Sequence, residues 1–407
     1  MGGTIDSVDR PCQAWRSPAA GRPLRLASRA FTGPVRFGDN GGMPGALSID
    51  TIGPGLKRKA ERLRLRLRSR RAWNYRFGMI YRTNPQYRRP VDAEVERRHL
   101  AQWRRLRKGA RPDTLRVCSA ISGVVDPDYV PEEVYASEIE RVLNPRPMIE
   151  FLEFKGGYNR WFPDAGFPRA WMHDIEGIRY DAGYRPILSP DMRALADTFS
   201  YPVVLKPSID SLGGDGVVFL RDAAALVANL DGKRNFVVQE RIDPHPYFRR
   251  FSEVGLNTFR VCLYRSVRDN RLHVLNIALR MGKGGSLDNE TAGGIVCFID
   301  ENGRMNPYAV DKWGTKFPAH PDNRLVFAEQ SPIPDLAGLK AQALRVAEGI
   351  FFARVMSLDL CYDADERWRM IEVNLFRHTI RFSQYAGRPF FGPFTGEVLS
   401  YCEQRKA

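Results

Sequence analysis

The chain has no pair of cysteines spaced CxxC and no tight cysteine cluster. Its six cysteines, Cys12, Cys118, Cys262, Cys297, Cys361 and Cys402, are scattered over 407 residues. That spacing argues against a disulfide framework and a structural zinc site, and a reducing, cytoplasmic setting is expected. No uninterrupted apolar run approaches the ~20 residues a spanning helix needs, and the N-terminal residues lack the apolar core of a secretory signal. The phosphate-cradling pattern GxxxxGK[ST] is absent, which removes one common nucleotide-binding class. No internal repeat is present. The charge is unevenly spread: residues 56–111 hold 20 Lys/Arg against 4 Asp/Glu, a net +16, while the remainder sums to −1. The formal charge of +15 therefore belongs to one segment, and a polyanion or membrane-surface partner is to be sought there.

What is present is an ordinary globular composition, 43% apolar, enough for a core and two or three lobes. Residues 1–50 are rich in Gly, Pro, Ser, Arg and Ala, a composition that cannot offset the entropy of ordering, so a disordered tail is expected. A basic helical segment is expected over 51–112. In it LKRKAERLRLRLRSRR (56–71) is ambiguous: Leu56, Ala60, Leu63 and Leu67 follow helical spacing, while RLRLRLR alternates like a strand. The neighbouring Glu and Ala and the lack of turn residues favour a helix. A second helix is expected from Ala93 to Lys108, stopped before Pro112.

Residues 113–189 form an expected accessory or α/β region. It has a buried segment at 116–125, a helix from Pro131 to Leu143, and a loop-like stretch with aromatics at 154–171. From 190 to 401 short apolar runs predict strands at 203–205, 217–220, 236–239, 258–264, 274–280 and 295–299. A long helix over 337–355 follows, then strands at 358–361 and 369–373. Antiparallel strands with a few helices define an α+β protein.

Four stretches could carry chemistry. In VVLKPSIDSLGGDGVVF (203–219) the glycines lead into a strand, so the link reads as a hairpin turn or as a flap. Lys206 favours the flap, because an ammonium ending an apolar strand is costly unless it meets water or an anion. Glycines there let backbone N–H groups approach an oxygen. In NFVVQERI (235–242) a strand ending at Gln239 and Glu240 could offer its backbone to a base edge, or simply leave the core.

In SLDLCYDADERWRMIEVN (357–374) two apolar strands flank a turn centred between Asp365 and Glu366. That centre sets Asp359 across from Glu372, with Asn374 on the same face. Two facing carboxylates repel unless a cation lies between them, and three hard oxygen donors suit Mg²⁺; a solvated surface hairpin is the alternative. Finally, LNTFRV (256–261) carries Asn257 and Arg260, ALRMGKGG (278–285) carries Arg280, and a second glycine-containing loop with Asp288 and Asn289 follows. His245 and His378 lie nearby, and neither is assigned a catalytic role.

Taken in order, KPSIDSLGGDGV, VQERIDPHP, GLNTFRV, LRMGKGGSLDNETAGG and IEVN resemble the ATP-grasp superfamily, and within it the sugar-transfer-associated branch, over about residues 190–400. The resemblance implies an ATP-grasp fold of two α+β lobes clasping ATP, with a basic helical N-terminal region. Lys206 would contact the phosphates or the adenine. Ser211, Gly213, Gly214 and Gly216 would cover the triphosphate. The linker from Gln239 and Glu240 to Ile242 would hold the adenine, with Asp243 as the ribose partner and Asn257 in the same nucleotide site. Arg260 and Arg280 would steady the γ-phosphate and an acyl phosphate, and Asp359, Glu372 and Asn374 would hold Mg²⁺. The implied activity is that of a carboxylate-amine ligase. It would join small-molecule or sugar-linked carboxylates and amines in the assembly of a cell-surface polysaccharide or secondary-metabolite precursor. The family's usual small or Pro/Gly residues after Glu-x-Asn are replaced here by Leu375-Phe376-Arg377-His378.

Two rival classes remain. One is a phosphotransferase acting on a hydroxyl. The other is a binding protein whose segment 56–111 docks on nucleic acid or on an anionic membrane, with a peripheral position at the inner membrane surface. Nucleic acid is the less expected of those two partners.

Overall fold

The alternating RLRLRLR run lies in a helix. The computed structural model describes residues 54–188, 191–209, 215–253, 255–286 and 288–405. The tail expected to be disordered at 1–50 lies outside them, as do Ser211, Gly213 and Gly214. Helix α1 (Pro54–Thr83) turns Arg62, Arg66, Ser69, Trp73, Phe77 and Ile80 inward, three or four residues apart as one helical face requires. Phe77 and Ile80 pack with Leu115, Ile121, Tyr129 and Tyr385. Arg62 and Arg66 both reach the buried Glu138, at 2.8 and 2.6 Å. A strand would have buried Leu63 and Leu67 together; here both are exposed.

Helix α2 (Ala93–Arg104) starts where the Asp92 carboxylate accepts from the N–H groups of Glu94 and Val95, an N-cap that satisfies two otherwise orphaned donors. It ends four residues before the expected Lys108. The buried segment read at 116–125 is helix α3 (Asp113–Ser122), closed by Gly123 in the left-handed region. Residues 132–143 are helical as expected, with a π turn at Tyr135–Ile139.

The strands form two sheets, antiparallel at every pairing among the described residues. The first is built from β1 (Ala170–Ile175), β2 (Ile178–Asp181), β3 (Val203–Pro207), β4 (Val218–Leu220) and β5 (Phe236–Glu240), in the order β2-β1-β5-β3-β4. The second is built from β6 (Phe259–Arg265), β7 (Leu272–Met281), β8 (Ile295–Ile299), β9 (Met305–Val310), β10 (Lys316–Phe317), β11 (Val355–Tyr362) and β12 (Trp368–Asn374), in the order β10-β9-β8-β7-β6-β11-β12. The first sheet thus begins at Ala170, upstream of residue 190 and inside a stretch whose Gly, Pro and aromatic residues hide the strand pattern.

Strand alternation splits the second sheet into two faces. Phe259, Val261, Leu263, Leu358 and Leu360 pack against Leu339, Ala343 and Val346 of the helix Leu336–Glu348. Cys262, Tyr264 and Val355 face Trp103, Tyr135 and Phe391. That helix stops well short of the expected residue 355, because Gly349 releases the chain into a turn and β11 starts at Val355. The five cysteines among the described residues are free and buried.

Candidate functional site

The β11–β12 hairpin places Asp359 opposite Glu372 and Ser357 opposite Asn374. Beyond that point the register shifts by one residue, and Tyr362 faces Trp368. The turn closes where the Asp363 N–H donates to the Arg367 carbonyl, so it is centred on Asp365. The expected centre was half a residue off, and the bulge restores the expected pairing at the acids.

Across the sheet, Asp359 lies opposite Arg260 of β6, Arg260 lies opposite Ala278 of β7, and Arg280 is two residues further along the same face. The buried Asp359 accepts from Arg260 Nε and Nη2, at 2.8 Å each, and Arg280 Nη2 lies 3.0 Å away. Asn374 Nδ2 also points at Asp359, at 3.4 Å. These guanidinium groups hold the Asp359 carboxyl below the usual carboxylate range in spite of its burial. Glu372 pairs with Lys155 Nζ at 2.8 Å. The cation expected beside the facing acids is supplied here by side chains: arginine relieves Asp359 and lysine relieves Glu372. Among the described residues no group of three His, Cys, Asp or Glu side chains could hold a metal.

Lys206, at the end of β3, reaches the same face from the first sheet. Burial first, and then Lys155 nearby, lower its pKa to about 8, with Glu372 acting the other way. Lys155 is tied to this strand end, since its N–H donates to the Ser208 carbonyl at 2.8 Å. All these groups line one cavity of about 970 Å³, with Val217, Ile242, Asp243, Asp288, Asn289 and Leu375–Arg377 among its other walls.

The lowered lysine has a measurable consequence. Between about pH 8 and 10.5 the folded protein binds fewer protons at Lys206 than the unfolded chain does. The cost of burying the ammonium is therefore fully present below pH 8 and fades as pH rises through that window. Denaturation curves should show wild type gaining stability relative to Lys206→Met over that range. Were a polyphosphate to bind there, it would reverse the shift, and ADP binding near pH 8 would then take up a fraction of a proton in wild type and none in Lys206→Met. Calorimetry in buffers of different ionisation enthalpy measures it.

Other expected residues are placed differently. β3 and β4 pair as a hairpin, Val203 opposite Leu220, and Lys206 and Val217 on its two arms line the cavity. Gly216 has φ +75°, and a Cβ there would meet Pro207 Cγ at 2.8 Å, so the turn requires glycine. Gln239 and Glu240 are not among the cavity's walls. Glu240 instead accepts from the Arg169 N–H at 2.9 Å and pairs with Arg369. The linker residues that do line the cavity are Arg241, Ile242, Asp243 and Pro244, one step further along the chain. Asp243 is paired with Arg249.

Asn257 is a buried backbone clamp, donating from Nδ2 to the carbonyls of Phe248 and Ser252, both at 2.9 Å. Its left-handed backbone, φ +54°, gives it a local structural task. His378 contacts Glu140 through Nδ1 at 2.8 Å. His245 caps a short helical turn by accepting from the Tyr247 N–H at 3.1 Å.

Sequence reading missed a buried charge cluster at one wall. Glu290 accepts from Arg76 Nη2 at 2.6 Å and from Arg381 Nε at 3.2 Å, and Arg381 Nη1 lies 3.7 Å from Glu132. Lys155 was missed as well. Nothing local marks these residues, since their partners are remote in sequence; only Glu290 stood inside a quoted motif.

Residues 223–390 match the model of the family described as sugar-transfer associated ATP-grasp; Lys206 and Gly216 precede the matched stretch. Among solved structures the chain is similar to N5-carboxyaminoimidazole synthetase from Staphylococcus aureus complexed with ADP (11% identity, TM-score 0.38, 60% of this chain and 52% of that one). It is also similar to L-amino acid ligase from Bacillus licheniformis (14% identity, TM-score 0.35, 59% and 43%). The chain thus spans about half the length of the solved structures it matches. No curated protein matches it.

Proposed function

We propose that the protein is an ATP- and Mg²⁺-dependent ligase that activates a carboxylate as an acyl phosphate for attack by an amine or other nucleophile. The catalytic domain is proposed as 190–401, with β1 and β2 completing its first sheet from upstream. The observation that carries the reading is the meeting of Lys206, Lys155, Arg260 and Arg280 with Asp359, Glu372 and Asn374 on one cavity wall. Four cations against two acids leave that wall net positive, the sign a polyphosphate needs.

The donor set also fits Mg²⁺. Glu372 offers carboxylate oxygens to the cavity, and Asn374, whose amide nitrogen points at Asp359, has its carbonyl oxygen left as a hard donor. When bound, the ion would neutralise charge on the phosphate oxygens. Arg260 and Arg280, oriented by Asp359, are placed to bind the oxygens of a transferring phosphoryl group, where fixed donors cost no reorganisation. Lys206 would bind phosphate as a point charge. The β3–β4 hairpin would keep water from the reactive acyl phosphate.

The test is ADP release from ATP with a panel of carboxylic acids and hydroxylamine as the trapping nucleophile. Release that requires Mg²⁺, yields a hydroxamate, and falls about tenfold or more in Lys206→Ala and in Glu372→Ala is expected. A stable phosphate ester without hydroxamate would assign the site to a phosphotransferase. Full turnover in both variants removes the site itself.

A further inference from the structure

The arginines of α1 are sorted by direction. Arg62, Arg66 and Arg76 point inward and are neutralised by Glu138 and Glu290. Arg64, Arg68, Arg70 and Arg71 point outward, are exposed, and carry no ion pair among the described residues. Along this outward face runs a stripe spaced four residues apart: Leu63, Leu67, Arg71 and Tyr75. Its apolar members are 57%, 49% and 68% exposed. Nothing in the described residues covers them, while the opposite face of the same helix is anchored by Phe77 and Ile80.

We propose that this outward face of α1 docks on an anionic lipid bilayer. Two chemistries coincide on it. Unpaired guanidinium groups are drawn to anionic headgroups, and leucines with an aromatic residue gain by entering the boundary between headgroups and acyl chains. Nucleic acid would use the arginines but leave the aliphatic leucines in water. The helix lies on the surface and does not cross it: its outward face alternates leucine with arginine, and among the described residues no helix is long and apolar enough to span. Thirty helical residues extend roughly 45 Å, enough for the stripe to lie along a membrane plane. Because Arg76 of α1 grips Glu290 at the cavity wall, a docked helix would hold the cavity at a fixed position relative to the bilayer.

The test is co-sedimentation of the full chain with sucrose-loaded vesicles of phosphatidylcholine alone and of phosphatidylcholine with phosphatidylglycerol. Binding to the anionic vesicles only, weakened by salt, is expected. It should fall about tenfold or more in Arg64→Gln/Arg68→Gln/Arg71→Gln, and also fall in Leu63→Gln/Leu67→Gln. All five positions are exposed, so both variants should melt like wild type. ADP affinity is measured alongside and should not change, which separates this outcome from the fate of the ligase reading. No binding to anionic vesicles overturns the proposal, as does equal binding to neutral ones. Loss in the arginine variant but not in the leucine variant, together with tighter binding to a mixed-sequence single-stranded RNA, would assign the face to polyanions in general and also overturn it.

Discussion

Asp359→Asn is expected to lower turnover by about 10²–10³-fold while ADP affinity is unchanged or tightens. Asp359 is the hub of the cation array: Arg260 spans both its oxygens and Arg280 shares one of them. Two parallel bonds to a planar fork fix orientation as well as charge. An amide in its place has one accepting oxygen and turns an N–H group toward a guanidinium, so at least one arginine loses its anchor. The wall also becomes one unit more positive, which favours an anion in the ground state. Binding and chemistry are therefore predicted to separate, because aiming the donors matters most where charge moves during reaction. ADP release and ADP calorimetry on the same preparation measure both. Unchanged turnover would show that the arginines do not need this partner, and the proposed phosphoryl-binding role would fall with it.

How much of this was legible depends on the range of the interaction. The alignment of Asp359 with Glu372 follows from a short hairpin, so counting from the turn is nearly sufficient, and the bulge absorbs the half-residue error. The strand at 295–299 was readable to the residue, because it is a continuous apolar run buried along its whole length. The run at 63–67 was not decidable from periodicity. Only the inward contacts of Arg62, Arg66 and Phe77 show which period the core uses.

Asn257 and Glu240 have structural contacts that their place in a motif does not reveal. A polar residue beside a motif looks like a ligand, yet a buried amide that clamps two carbonyls fills the same position for a structural reason. The cations facing Asp359 were legible one by one. Their joint effect was not, because it depends on β6, β7 and β11 lying side by side. Lys155 could not have been found, since its link to Glu372 joins segments far apart in sequence.

The same limit applies to the cluster at the far wall, where the second large effect is expected. Arg381→Met should destabilise the fold by about 3–5 kcal/mol, because it strips a buried cation from two buried carboxylates. Glu290 would keep Arg76, but Glu132 would lose the nearest cation described for it. Glu132 already has its pKa raised to about 7, chiefly by burial, with Arg381 and then Arg76 opposing that rise. A raised carboxyl means the folded state binds more protons than the unfolded chain between about pH 4.5 and 7, so stability falls as pH rises through that window. Removing Arg381 should push the upper edge of the window higher. The loss should then be smallest in acid, where Glu132 is neutral in either background, and grow on the alkaline side. Glu132→Gln should abolish the slope, and adding it to Arg381→Met should recover part of the loss. Urea denaturation of the four proteins at acidic and alkaline pH measures all of this. A loss below about 1 kcal/mol, with no pH dependence, would mean that water from the cavity screens the cluster as it screens a surface ion pair. A large loss would show that the wall joining α1 to the cavity depends on charges that no local sequence pattern marks.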